Sequence, residues 1–150
     1  MAIVKFSTNV HWSGKGVLST GDVNGKKVIV DEPTSLGGTD KGPNPVEYVL
    51  VALGGCLNVL IVSFAEKFNV EIQDLQVYVE GDLDPDGFLG KNENVRPGFQ
   101  QIRYHIDIVS PSKDEDIQAL VKHAEENCPV KDTLKAVPVT SIKRKKEVRA

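Results

Sequence analysis

Residues 44–60 read NPVEYVLVALGGCLNVL, and the fold turns on whether this run is a membrane span or the central helix of a globular domain. Asn44 is a good N-cap, Pro45 suits the first helical position because its missing N–H would be unpaired there anyway, and Glu47 stands three residues after the cap. Together they predict a helix that opens at Asn44 and runs to about Lys67. Its apolar residues lie on all sides, which fits either a buried helix or one that crosses a bilayer. Glu47, Asn58 and Ser63 interrupt the run and amphipathic strands surround it, so we read it as a central buried helix with no membrane partner. The Gly54-Gly55 pair is costly in a helix interior and points to a close approach of another backbone. Cys56 follows directly. Taken alone, a thiol among apolar neighbours is a small core residue whose pKa burial raises.

Working outward, residues 4–12 alternate, with Val4, Phe6, Thr8, Val10 and Trp12 on one face and Lys5, Ser7, Asn9 and His11 on the other. That is the period of a half-buried strand. Two more strands, about 16–23 and 26–31, flank Asn24-Gly25, a dipeptide suited to a tight hairpin, so an antiparallel meander precedes the helix. EPTSLGGTDKGP, residues 32–43, reads as a loop. After the helix, residues 75–83 and 99–109 alternate cleanly and form a second hairpin, joined by the Gly-, Pro- and Asn-rich DPDGFLGKNENVRPG, long enough to be a functional loop. Ser112 and Glu115 spell a capping box for a second helix with Ile117, Leu120, Val121 and Ala124 on its apolar face. Pro129 should break that helix at Cys128 and start a short one, PVKDTLKA. A last strand over about 137–148 completes a single domain spanning 1–150, of α+β class, with antiparallel sheets around the central helix.

Composition narrows the function classes. With 40% hydrophobic and 26% charged residues in 150, the chain is an ordinary globular protein. Its 21 acidic and 18 basic residues leave a formal charge of −3, which argues against nucleic acid as a partner. The exception is the KRKK run at 143–146, which reads as the solvated end of the last strand. No charged segment followed by an apolar stretch opens the chain, so a cytoplasmic setting is expected. His11, His105 and His123 share no ligand spacing, so neither a metal nor a cofactor is expected. Two cysteines, Cys56 and Cys128, are too few for a disulfide scaffold; in a reducing compartment a bridge between them would be transient and functional. Cys128, before the helix that Pro129 begins, has the favourable field of a helix N-terminus.

NPVEYVLVALGGC resembles the central helix of the OsmC/Ohr family, the osmotically inducible and organic hydroperoxide resistance proteins, in its Asn-Pro, its glutamate and a cysteine nine residues later. ENCPVKDTL is similar to that family's Cys-Pro-Val and following leucine, and GFLGKNENVRPGFQ resembles a loop in a less characterised branch. The resemblance implies an OsmC-like fold, an intertwined homodimer with two sites at its interface, and thiol peroxidase activity. It makes Cys56 the thiol that attacks peroxide, Cys128 the resolving thiol and Glu47 the carboxylate that positions a catalytic arginine. A dithiol reductant such as a lipoyl group would restore the enzyme.

Helix geometry adds a constraint. Nine residues correspond to about 13.5 Å of rise and a rotation of roughly 900°, so Glu47 and Cys56 face opposite sides of one helix. If both serve one site, Glu47 comes from a second copy. The arginine departs from the family pattern. It belongs in the N-terminal strand region, yet none precedes Arg96 here. Arg96, on the long loop, offers the guanidinium fork, or else is a solvated loop residue; Lys15 or Lys41 offers charge without the fork. Arg103 falls on a strand's polar face with His105 and Asp107. Two functions follow: a cysteine peroxidase for organic hydroperoxides, with Leu57, Val59, Leu60 and Phe64 as apolar walls, or a non-enzymatic protein that binds an apolar or thiol-bearing small molecule.

Overall fold

The computed structural model describes residues 1–135, so the strand expected over 137–148 and the KRKK run lie outside the described residues. The element order is β1 (Asn9–Trp12), β2 (Ser19–Val23), β3 (Lys26–Val30), α1 (Pro45–Phe64), β4 (Asp74–Asp82), α2 (Pro85–Phe88), β5 (Gln101–Val109), α3 (Asp114–Glu126) and α4 (Pro129–Lys135). The class is α+β, with one three-stranded sheet in the order β1-β2-β3 and one two-stranded sheet, β4-β5.

The described chain divides into two compact units, one of residues 1–55 and 77–106, the other of residues 56–76 and the described residues from 107 onward. In the first, β2 and β3 pair antiparallel and Val23 faces Lys26 across the Asn24-Gly25 turn. Both turn residues have positive φ, 52° and 78°, as a tight hairpin demands. Asp22 secures the turn by accepting from the Gly25 N–H at 3.0 Å and from Lys27 Nζ at 2.6 Å. The first strand is shorter than its alternation predicts. With Asn9 opposite Asp22, Ser7 already stands level with Asn24 of the turn, so residues 4–7 have no strand to pair with. In β4 and β5, Arg103 bridges Glu80 and Asp82 across the hairpin, which places it on the polar face, as its alternation predicts.

The loop after β3 is organised by Asp31, which is 1% exposed. Its carboxylate accepts from the backbone N–H groups of Glu32, Thr39 and Lys41 and from the Thr39 hydroxyl. These donors, Thr39 foremost, hold the Asp31 carboxyl well below the usual carboxylate range.

The second unit has a core of Leu57, Ile61, Ala65, Val70, Leu120, Ala124 and Cys128. Residues 57, 61 and 65 of the α1 segment, and 120 and 124 of α3, recur at the i, i+4 spacing that lines one helix face. The Ser112–Glu115 capping box does not form: α3 starts at Asp114 with Lys113 as N-cap. The Ser112 hydroxyl instead accepts from the Glu71 N–H at 2.8 Å, a partner 41 residues away.

The central helix also differs from expectation. It buries a single face, Leu53, Leu57 and Ile61, whereas Val51, Val59 and Val62 are 61%, 62% and 56% exposed. By length and composition α1 is apolar enough to cross a membrane, as its sequence alone already allowed.

Candidate active site

Both cysteines belong to the second unit, and the fold brings them together. Cys56 stands on α1 one residue before the fully buried Leu57 and is half-buried; Cys128 is 2% exposed, at the joint between α3 and α4. Both are free thiols. The break expected at Cys128 is present: α3 ends at Glu126 and α4 starts at Pro129, which has no N–H to leave unpaired. Cys128 caps α4 through sulfur, its Sγ accepting from the Lys131 N–H at 3.3 Å, while its carbonyl accepts from the Asp132 N–H at 3.0 Å.

The next donor of that turn serves the other thiol. Burial pushes the Cys56 thiol up, the Val130 N–H pulls it down, and the neighbouring Cys128 thiol raises it again. The first turn of α4 therefore caps the Cys128 sulfur and also bears on the ionisation of Cys56. Hydrogen bonds from N–H groups stabilise a thiolate more than a thiol. The cap on Cys128 was legible from Pro129, but the nearness of Cys56 to that turn was not, because only tertiary packing brings α1 there. No lysine or arginine side chain figures among the groups that shift Cys56 within the described residues.

Glu47 and Arg96 lie in the first unit. Glu47 completes the capping box that its spacing predicts: its carboxylate accepts from the Asn44 N–H at 2.8 Å, and its own N–H donates to Asn44 Oδ1 at 2.9 Å. Arg96 is exposed on the loop between α2 and β5, where its carbonyl accepts from the Gln100 side chain at 3.1 Å. The four apolar walls proposed from sequence do not share a face. Leu57 is fully buried while Val59, two residues on, is exposed, because two residues turn a helix by about 200°.

The Gly54-Gly55 expectation splits. A Cβ at Gly54 would stand 3.1 Å from Val79 Cγ2, so β4 packs closely there, but one at Gly55 would meet nothing within 4 Å.

A sequence model for OsmC-like protein matches residues 38–143, which contain both cysteine motifs, Glu47 and Arg96. The chain belongs to the OsmC-like protein family. No curated protein sequence matches it. Solved structures agree on the fold of this OsmC-like chain. An OsmC-like protein from Mycoplasma pneumoniae superposes with a TM-score of 0.76 at 21% identity, covering 89% of each chain. An organic hydroperoxide resistance protein OsmC from Legionella pneumophila gives 0.64 at 20% identity, over 90% of this chain and 92% of its own. An organic hydroperoxide resistance protein from Elizabethkingia anophelis, crystallised with thiocyanate bound, gives 0.65 at 16% identity, over 89% and 90%. At these identities the likeness establishes the fold of the OsmC-like chain.

Proposed function

We propose that the protein is a thiol peroxidase that reduces organic hydroperoxides in the cytoplasm. One observation carries this reading: two free cysteines 72 residues apart in sequence are close enough for Cys128 to act on the ionisation of Cys56, and the Lys131 N–H donates to the Cys128 sulfur. The Cys56 thiolate attacks the distal peroxide oxygen. The O–O bond breaks, the alkoxide leaves and takes a proton from water, and Cys56 becomes a sulfenic acid. The Cys128 thiol then displaces hydroxide from that sulfur, releasing water and forming a Cys56–Cys128 disulfide, which a dithiol such as a lipoyl group reduces by exchange. Burial of Cys128 suits a resolving thiol, since it keeps peroxide away from the second sulfur. In this reading Arg96 supplies the cation, held by Glu47 of a second copy, and the protein works as a homodimer.

The raised Cys56 thiol, with no cationic side chain among the described residues acting on it, favours a second reading: a non-enzymatic protein that binds an apolar or thiol-bearing small molecule. Stopped-flow oxidation of the reduced protein separates the two. With stoichiometric tert-butyl hydroperoxide, intact mass should fall by the two hydrogens of one disulfide, and Cys128→Ser should leave a sulfenic acid that dimedone traps. Two free thiols after that treatment would leave only the binding reading.

A further inference from the structure

The joint that carries Cys128 is closed from both ends. Upstream, α3 finishes on Asn127, whose φ of −109° is not the left-handed geometry that commonly ends a helix. The Asn127 side chain closes the end instead. Its Nδ2 donates to the His123 carbonyl at 2.8 Å, beside the Asn127 backbone N–H at 3.1 Å, so a carbonyl of the kind that a helix end leaves unpaired has two donors. Downstream, Pro129 restricts the Cys128 backbone to extended geometry, and the Cys128 carbonyl accepts from the Asp132 N–H.

His123 anchors this joint to the helix of the other cysteine. Its ring packs against Phe64 and Phe68 at centroid distances of 4.5 and 5.2 Å, and Phe64 stands about two turns beyond Cys56 on α1. Asn127 Nδ2 also lies 3.4 Å from His123 Nδ1. Facing a donor, Nδ1 is the acceptor, and the ring proton is on Nε2. That nitrogen is shielded from solvent and has no partner among the described residues, so ring packing and Asn127 hold the imidazole. Asn127 thus connects α1, through His123, to the residue before Cys128. With its backbone fixed on both sides, the Cys128 sulfur keeps one soft torsion, χ1, with three staggered settings.

We infer that Asn127 is a positioning residue, its side chain holding Cys128 where the thiol can attack an activated sulfur on Cys56. The inference rests on the proposed pairing of the two thiols, but the attack needs only a sulfenic acid or a mixed disulfide at Cys56. The Cys128 thiol gives its proton to solvent and its sulfur bonds to that of Cys56. The former substituent leaves with the electron pair of the broken bond, as hydroxide or as glutathione thiolate, and takes up a proton.

The test oxidises the full-length native protein, Asn127→Ala and Asn127→Asp in parallel with tert-butyl hydroperoxide and with oxidised glutathione. Intact mass follows the intermediate, as a dimedone-trapped sulfenic acid or a glutathione adduct, and the disulfide. The negative φ at position 127 suits both replacements. Formation of the intermediate should keep its native rate. Its conversion to the disulfide should slow about two- to tenfold in Asn127→Ala, the range for one lost hydrogen bond. Asn127→Asp has the same shape but sets an acceptor against the His123 carbonyl, and should slow conversion at least as much. Conversion at the native rate in both variants would overturn the inference, as would an equal change in both steps, which marks a general loosening of the fold. A native glutathione adduct that Cys128 never resolves would overturn it too. If peroxide leaves the native chain unoxidised while glutathione shows the split between steps, the peroxidase reading falls and the positioning role stands.

Discussion

A thiol on an apolar helix is a poor nucleophile until something favours its charged form, and at Cys56 the balance of burial against one backbone donor leaves the pKa raised. The reduced protein should therefore react with hydroperoxide faster as pH rises, by about tenfold per unit until the thiol titrates; a rate flat from about pH 6 upward would show an already ionised thiol. If Arg96 is the activating cation, one charged hydrogen bond to the thiolate is worth about 1.5 to 3 kcal/mol. That corresponds to about one to two pKa units. Arg96→Met should then slow oxidation roughly ten- to a hundred-fold with the fold intact, whereas Lys15→Met and Lys41→Met should not. Slowing by a lysine variant alone would reassign the cation. Asp31 sets a different pH dependence. Its folded carboxyl titrates below its ordinary value, so it contributes stability that is fully present above the unfolded pKa and is lost as pH falls through the folded one. Asp31→Asn should lower the melting temperature at neutral pH and flatten the acid limb of the stability profile below about pH 4. An unchanged acid limb in that variant would show that other carboxylates govern acid unfolding.

At the scale of elements, what was legible was what is local. Asn44, Pro45 and Glu47 fix the start of α1 within four residues, and Asn24-Gly25 fixes the hairpin, because each signal acts on its own backbone. Asn44→Ala should thus destabilise the protein by about 0.5 to 2 kcal/mol in urea unfolding; no change would mean that the cap is redundant. Where distant partners decide, local reading went astray. The β1 alternation persists through Val4 and Phe6, but the register with β2 leaves nothing to pair with them. Ser112 has the sequence of a capping residue, yet its hydroxyl goes to Glu71, 41 positions away. At the site the same division holds. Cys128 and Pro129 announced a helix joint locally, whereas the influence of that joint on Cys56 is a product of tertiary packing. Asp31 read as the end of a strand, and its burial appears only once residues 33–41 fold back over it.

For the whole molecule, the question is what covers the second face of α1. Leu53, Leu57 and Ile61 face inward, while Val51, Val59 and Val62 lie exposed at helical spacing with Gly55 between them. Apolar side chains recurring along one exposed helix face mark an interaction surface. A second copy is the occupant that also answers the opposed directions of Glu47 and Cys56, since it can bring one copy's glutamate to the other's thiol. Gly55 distinguishes this from an unpartnered helix. In the isolated chain a Cβ there meets nothing within 4 Å, so Gly55→Ala should stabilise the helix by about 0.5 to 1 kcal/mol. If a second copy packs against that face, the same methyl intrudes on a close approach and weakens assembly. The expected outcome is therefore a homodimer of the native chain at micromolar concentration in sedimentation. Gly55→Ala should shift that equilibrium toward monomer, and Val59→Asp, which places a charge on the covered stripe, should shift it further. Both variants should keep native far-ultraviolet dichroism. A native chain that sediments as a monomer, with Gly55→Ala simply more stable, would show that the face is not a dimer contact, and the two-copy assembly of Glu47 with Cys56 would fall with it.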